Sequence, residues 1–259
     1  MKKILITGAN SYIGTSFEKY LAQWPDQYQV DTVDMIGDDW RQVDFSGYNA
    51  VFHVAGIVHI KERKENAPLY FRVNRDLAIE VAKKAKQDRV QQFVFLSSMS
   101  VYGVSEGAIS MQTPTVPQNY YGKSKLEAEQ GLSELVSDSF AVAILRPPMV
   151  YGEGCKGNYQ SLVKIAKIVP VFPDYPNQRS MLHVDKLLEY IKQLVDTGEG
   201  GLHLPQDDAY VCTAKMVQSI GADMGRKIVL TKLLNPFVFL LVKFTALGKK
   251  AFGNLYYER

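Results

Sequence analysis

Short, almost uninterrupted apolar runs alternate with longer amphipathic stretches along most of this chain. The segments at 2–7, 28–34, 50–55, 92–97, 140–146 and 200–204 have the length of strands, and most of them lack the strict alternation of a half-solvated sheet. They predict strands covered on both faces. The stretches at 13–23, 67–87, 121–137, 159–168, 184–196 and 213–224 repeat their apolar residues at helical spacing, as Ile13, Phe17 and Leu21 do. Strand and helix in alternation predict an α/β chain with a doubly wound parallel sheet. Between Asp34 and Ala50 there is room for a turn but not for a crossover helix. After Arg146 the pattern breaks at Pro147, Pro148, Gly152, Gly154 and Gly157, which marks departure into a second lobe.

Composition narrows the class. The chain has 259 residues, 46% hydrophobic and 22% charged, and so can bury its own core. A net charge of +3 is too small to argue for nucleic acid. The mixed-sign run Lys61-Glu-Arg-Lys-Glu65 is read as a solvated face. Cys155 and Cys212 have no metal-ligand spacing, and no metal is implied. The start reads as no signal peptide, so the expected compartment is the cytoplasm. Residues 236–247 are strongly apolar but too short to span a bilayer and are interrupted by Lys243. They are read as a helix packed on the protein, ahead of a helix on a membrane surface, and no integral span is expected.

The first strand ends in Thr7-Gly8-Ala9-Asn10-Ser11-Tyr12-Ile13-Gly14. Glycine in such a turn lets backbone approach a pyrophosphate, and the helix that follows offers free N–H groups and a positive dipole end. Ser11 stands where the dinucleotide fingerprint usually has its middle glycine. Asp34 ends the second strand twenty residues after Gly14, where an acidic residue takes the adenosine ribose hydroxyls. Its charge would repel a 2′-phosphate, which favours NAD and leaves NADP as the second choice, with Arg41 near enough to serve it. Asp44 and Phe45 could hold the adenine. The fold class is therefore a Rossmann-type doubly wound sheet with a small C-terminal lobe. Residues 1–150 form the dinucleotide-binding part and 151–259 mostly the lobe, with about 180–204 returning to the sheet.

Chemistry concentrates at three places. Val51-Phe-His-Val-Ala-Gly56 ends in small residues that leave room for a cofactor, while His53 within it is read as a buried structural histidine. Phe93-Val-Phe-Leu-Ser97-Ser98-Met-Ser100 is a strand that breaks into three serines, hydroxyls able to stabilise charge on a reacting oxygen. Tyr121 and Lys125 stand one helical turn apart on one face. An ammonium beside a phenol favours phenolate and brings tyrosine toward use as an acid or base.

These pieces, with Asn74, Leu145-Arg-Pro-Pro-Met-Val-Tyr-Gly152 and Arg179-Ser-Met-Leu-His-Val-Asp185, are collinear over about residues 1–190. They resemble the extended short-chain dehydrogenase/reductase superfamily, in its nucleotide-sugar epimerase/dehydratase branch. The resemblance implies Ser98, Tyr121 and Lys125 as the catalytic set. It implies a cofactor site at Gly8, Asn10, Ser11, Tyr12, Ile13, Asp34, Val54, Ala55, Gly56 and Asn74, with Tyr121, Lys125, Pro147 and Val150 near the nicotinamide. It places Ser98, Met99, Asn158 and Arg179 at the substrate, the last two at a nucleotide diphosphate; Arg179 in a surface salt bridge is the plainer alternative. The implied activity is 4-epimerisation of a UDP-hexose or UDP-N-acetylhexosamine by transient oxidation at C4, in surface-polysaccharide precursor synthesis. An NAD(P)H-dependent 4-ketoreductase or a dehydratase is the second reading, and a dinucleotide-sensing regulator without turnover the third. The family commonly pairs two helices per subunit, and the stripes Phe71, Leu77, Val81 and Leu132, Leu135, Val136 make a homodimer the expectation.

Overall fold

A computed structural model describes residues 1–58 and 60–259. Strand β1 (Lys2–Thr7) turns into α1 (Tyr12–Leu21) and returns as β2 (Tyr28–Val33). One 3-10 turn, Asp39–Gln42, replaces a crossover helix before β3 (Ala50–His53). Helix α2 (Ala67–Phe71), a π turn (Arg72–Asp76) and α3 (Leu77–Gln87) run on as one helical stretch to β4 (Gln92–Leu96). Then come β5 (Gly107–Ile109), α4 (Tyr120–Ser133), β6 (Ala141–Leu145), β7 (Met149–Tyr151) and α5 (Asn158–Ile168). Strands β8 (Val171–Pro173) and β9 (Met181–His183) precede α6 (Val184–Thr197), β10 (Gly201–His203) and α7 (Thr213–Asp223). Strand β11 (Val229–Thr231), α8 (Asn235–Phe244), α9 (Ala246–Phe252) and β12 (Leu255–Tyr257) complete the order.

The chain divides into two units, the first formed by residues 1–103, 115–147 and 184–205. It holds a six-stranded sheet in the order β10-β6-β4-β3-β1-β2, with every pairing parallel. Neighbouring residues of β3 show both faces covered. Phe52 meets Phe17 of α1 edge-on at 5.3 Å. Val51 instead belongs to a core with Val81 and Ala85 of α3 and Leu132 of α4. Period-two alternation thus feeds two helix layers, which is why the strands read as continuous apolar runs. Strand order reverses at β1, flanked by β2 on one side and β3 on the other, and ligands of such sheets bind beyond the carboxyl ends at this point.

The second unit comprises residues 104–114, 148–183 and 206–259. Three two-stranded parallel pairs, β5–β12, β7–β9 and β8–β11, frame it. Its core joins Val163 and Ala166 of α5 to Ala214, Val217 and Ile220 of α7, with Phe172 and Ile228. Segment 104–114, placed by sequence in the first part of the chain, belongs to this unit because β5 pairs with β12.

Two readings are corrected. Val81 and Leu132, assigned to stripes facing a second subunit, are fully buried in the core of their own unit. The apolar segment 236–247 does form helix, but it is not packed away: Phe237 is 67% exposed and Phe244 71%. Among the described residues no helix is long and apolar enough to cross a membrane.

Candidate active site

Gly8 begins the turn at the end of β1 with φ +115°, and a Cβ there would lie 2.7 Å from the Ala55 nitrogen. Only glycine fits both the backbone and the space. The close approach comes from Val54 and Ala55, whose N–H groups both donate to the Thr7 carbonyl (3.0 and 2.9 Å). Asn10 takes φ +63°, the left-handed region that asparagine tolerates best after glycine. Ser11 accepts from the Gly14 N–H at 3.1 Å and caps α1. The departure from the fingerprint therefore leaves a capped helix start.

Beyond this turn lies a cavity of about 930 Å³. Gly8, Asn10, Ser11, Asp34, Val54, Ala55 and Gly56 line it, as does Arg72, which sequence reading passed over. Asp34 is exposed and accepts from the Ile36 N–H at 3.0 Å. Arg41 also lines the cavity, but its guanidinium is held by Glu80 (2.6 Å) and Asp38 (3.1 Å). A cation so engaged is a poor host for a 2′-phosphate. The glycine cradle, the volume, the helix start and the acidic residue together fit NAD.

Other expected cofactor residues lie elsewhere. Tyr12 and Ile13 form the first turn of α1 and do not line the cavity. Phe45 is fully buried in the core with the Lys84 ammonium 4.9 Å from its ring, and Asp44 folds back onto Ser46, so neither lines it. Asn74 is buried on the π turn. Its amide accepts from the Ile57 N–H (2.8 Å) and donates to the Ile57 carbonyl (3.0 Å) and the Ser124 hydroxyl (3.1 Å). It holds the Gly56–Ile57 segment against α4. Pro147 is buried, and its carbonyl accepts from the Met99 N–H at 3.0 Å.

Helix α4 starts where it does because two side chains take its first N–H groups. Asn119 accepts from Gly122 (2.7 Å), and the Glu62 carboxylate accepts from Tyr120 (3.0 Å) and Tyr121 (3.1 Å). Glu62 was read as part of a solvated charge run; a carboxylate at a helix N-terminus meets the positive dipole end instead. Tyr121 is thereby fixed as the second residue of α4, and Lys125 follows one turn later. The Lys125 ammonium donates to the Leu96 carbonyl (2.9 Å), lies 4.5 Å from the Phe95 ring centre, and would be 3.5 Å from a Cβ on Gly56. Gly56 lines the cavity, so the ammonium stands at its edge.

Ser98 accepts from the Ser100 N–H (3.1 Å), capping the turn Met99–Tyr102, and donates to the Ser100 hydroxyl (3.1 Å); its hydroxyl also stands near enough to the Tyr121 phenol to favour the phenolate. Burial pushes Tyr121 up to about 12, against which the Ser98 hydroxyl works. Burial pushes Lys125 down to about 8, with Glu129 acting the other way. The expectation that Lys125 lowers the tyrosine is thus corrected for the protein alone: its ammonium is turned to Leu96, and desolvation dominates the phenol.

Beneath the lysine lies a buried network that sequence reading missed. Glu129 accepts from Arg146 through Nε (3.1 Å) and a terminal nitrogen (2.6 Å), and also from Ser97. Arg146 donates to the Tyr102 hydroxyl at 2.9 Å. Position Glu129, two turns after Tyr121 on the face of Lys125, was the available signal. His53 is the neutral buried histidine its strand implied: Thr7 Oγ1 lies 2.7 Å from its Nδ1, and burial pushes it down to about 3.

Within the second unit, Asn158 is the exposed first residue of α5, and Val150 pairs with Leu182. Arg179 is half-buried and donates to the Gly253 carbonyl at 3.0 Å. Among the described residues it joins no ion pair, and burial pulls its pKa down. The salt-bridge alternative therefore lacks a partner, and an anion would satisfy the group.

A parallel sheet with a glycine cradle at its switch point, a serine beyond the end of β4, and a tyrosine and a lysine one turn apart on α4 fit a dinucleotide-dependent enzyme. The chain belongs to the NAD dependent epimerase/dehydratase family, which it matches over residues 4–204. A UDP-glucose 4-epimerase of Vibrio cholerae is 32% identical over 253 residues, covering 87% of this chain and 76% of that protein. An N-acetyl-alpha-D-glucosaminyl-diphospho-ditrans,octacis-undecaprenol 4-epimerase of Escherichia coli O157:H7 is 30% identical over 205 residues, covering 73% and 62%. The fold is also that of UDP-glucuronic acid 4-epimerase from Bacillus cereus in complex with NAD: TM-score 0.74, 17% identity, 99% and 89% of the two chains.

Proposed function

We propose that this protein is an NAD-dependent 4-epimerase of diphosphate-linked sugars, of the UDP-hexose or UDP-N-acetylhexosamine class, serving surface-polysaccharide precursors in the cytoplasm. The observation that carries the reading is the Lys125 ammonium at Gly56, on the edge of the cavity, with Tyr121 one turn before it on α4 and Ser98 beside the phenol. Relatives named as 4-epimerases support it. Gly8, Asn10 and Ser11 would cradle NAD, with Asp34 toward its ribose, and the cofactor, when bound, would supply the hydride acceptor. Tyr121 acts as the phenolate, the form Ser98 favours against burial; its oxygen receives the proton of the sugar 4-hydroxyl, becomes the phenol, and returns that proton after the sugar has turned. Ser98 donates to the same sugar oxygen as charge develops there. Lys125 contributes positive charge in the pH range below about 8. Arg179 holds the diphosphate.

A panel of UDP- and dTDP-sugars, joined by a polyprenyl-diphosphate sugar because one relative is named for such a substrate, tests this. We expect interconversion of 4-epimers without added reductant. Turnover only of a 4-keto sugar with NAD(P)H consumed would replace the epimerase by the ketoreductase.

The same reading carries a homodimer through the segments 67–87 and 121–137. With Val81 and Leu132 buried and Leu77 and Leu135 packed on the same core, the half-buried Phe71 and the exposed Val136 remain for a partner. Light scattering at micromolar concentration should give twice the 29.1 kDa chain mass; the single mass would rule the dimer out.

A further inference from the structure

Helix α8, Asn235-Pro-Phe-Val-Phe-Leu-Leu-Val-Lys-Phe244, is apolar round nearly its whole circumference. Helices of that kind are buried in protein or in lipid. Among the residues of α8 only Val238 is buried. Phe237, Phe239 and Phe244 are exposed, and Leu233 (84%) and Leu247 (76%) extend the patch at both ends. Helix α9 braces it: Gly248 packs so tightly on the Leu241 carbonyl that a Cβ would overlap it.

Charge identifies what covers this surface. Residues 224–257 contain Arg226, Lys227, Lys232, Lys243, Lys249 and Lys250 and not one Asp or Glu. Among the described residues only Lys249 of these is ion-paired, to Glu106 at 3.0 Å. A second copy would set cations against cations. An anionic bilayer takes both features: its headgroup–acyl boundary accepts the Phe and Leu side chains, and its headgroups accept the lysines. At 1.5 Å per residue, α8 is about 15 Å long, half the ~30 Å hydrocarbon core, so it lies in the interface and does not span.

We propose that α8 and α9 dock the protein on an anionic lipid surface. Flotation of the full chain with vesicles tests this by binding alone, independently of the epimerase reading. The protein should float with phosphatidylcholine containing about 30% phosphatidylglycerol, less with phosphatidylcholine alone, and less as salt is raised. Phe237→Glu with Phe244→Glu should abolish flotation while NAD binding persists. Should that variant misfold, Lys243→Glu with Lys250→Glu, both surface changes, should lower the bound fraction about tenfold or more. Wild-type protein left at the bottom with anionic vesicles overturns the proposal. So does flotation unchanged in a folded variant, and so does a lipid-independent dimer lost in the Phe variant with no flotation, which would make a second copy the occupant.

Discussion

Tyr121→Phe should lower kcat by about 10²–10⁴-fold, the range that general acid–base catalysis supplies. The change removes one hydroxyl and keeps the ring. Burial already holds the pKa of that hydroxyl well above its ordinary value, and Ser98 keeps its bonds to Ser100 without it. Folding should therefore survive, with a melting temperature close to wild type. NAD binding should be retained, because the cavity is lined by Gly8, Ser11, Asp34 and their neighbours and not by Tyr121. Tyr120→Phe should be mild, since only Tyr121 has a lysine one turn on. Steady-state rates and NAD titrations of both variants check the assignment. Near-wild-type turnover in Tyr121→Phe with loss in Tyr120→Phe would reverse it, and full activity in both would remove the tyrosine from the mechanism.

Lys125→Met should cost activity and raise stability, and the second effect should fade with pH. Lys125 is 4% exposed, and burial lowers its pKa from 10.5 to about 8. At pH 7 the folded protein carries a buried ammonium, at a cost of roughly 3 kcal/mol for a displacement of this size. Methionine removes that cost but leaves the Leu96 carbonyl without its donor, worth about 1–2 kcal/mol. The variant should gain about 1–2 kcal/mol, or about 2–6 °C in Tm for a chain of this size. Between pH 8 and 10.5 the unfolded lysine binds a proton that the folded one does not, so wild-type stability rises with pH and the gap narrows. Melting curves at pH 7 and 9.5 check this. A variant less stable than wild type at pH 7 would contradict the burial cost.

The central sheet was legible because β1, β3, β4 and β6 are short apolar runs bounded by turn residues, and parallel strands covered twice leave that trace. Tyr121 and Lys125 were legible because helical spacing alone brings them to one face. The second unit was not. Its strands β5, β7, β8, β9, β11 and β12 have three residues each, too few to show a period, and β5 pairs with β12 nearly 150 residues away. Glu62 escaped because a carboxylate in a charge run looks solvated until the fold brings a helix start to it. Phe45 was taken for an adenine contact because sequence does not say whether an aromatic faces the crevice or the core. Lys125 was credited with lowering its tyrosine because spacing shows proximity along a helix but not desolvation or the pull of the Leu96 carbonyl. The exposure of α8 runs against the ordinary rule that apolar helices are buried, and no local pattern announces the exception.

The central claim is reversible hydride removal at C4 with Tyr121 moving the proton. A UDP-sugar deuterated at C4, incubated with the enzyme in ordinary water without added reductant, tests it most directly. The account predicts that both 4-epimers keep the deuterium at C4, as read by mass spectrometry and proton NMR, and that Tyr121→Phe forms the second epimer more slowly by the factor given above. Deuterium exchanged into solvent, or no second epimer until NAD(P)H is supplied, would contradict it.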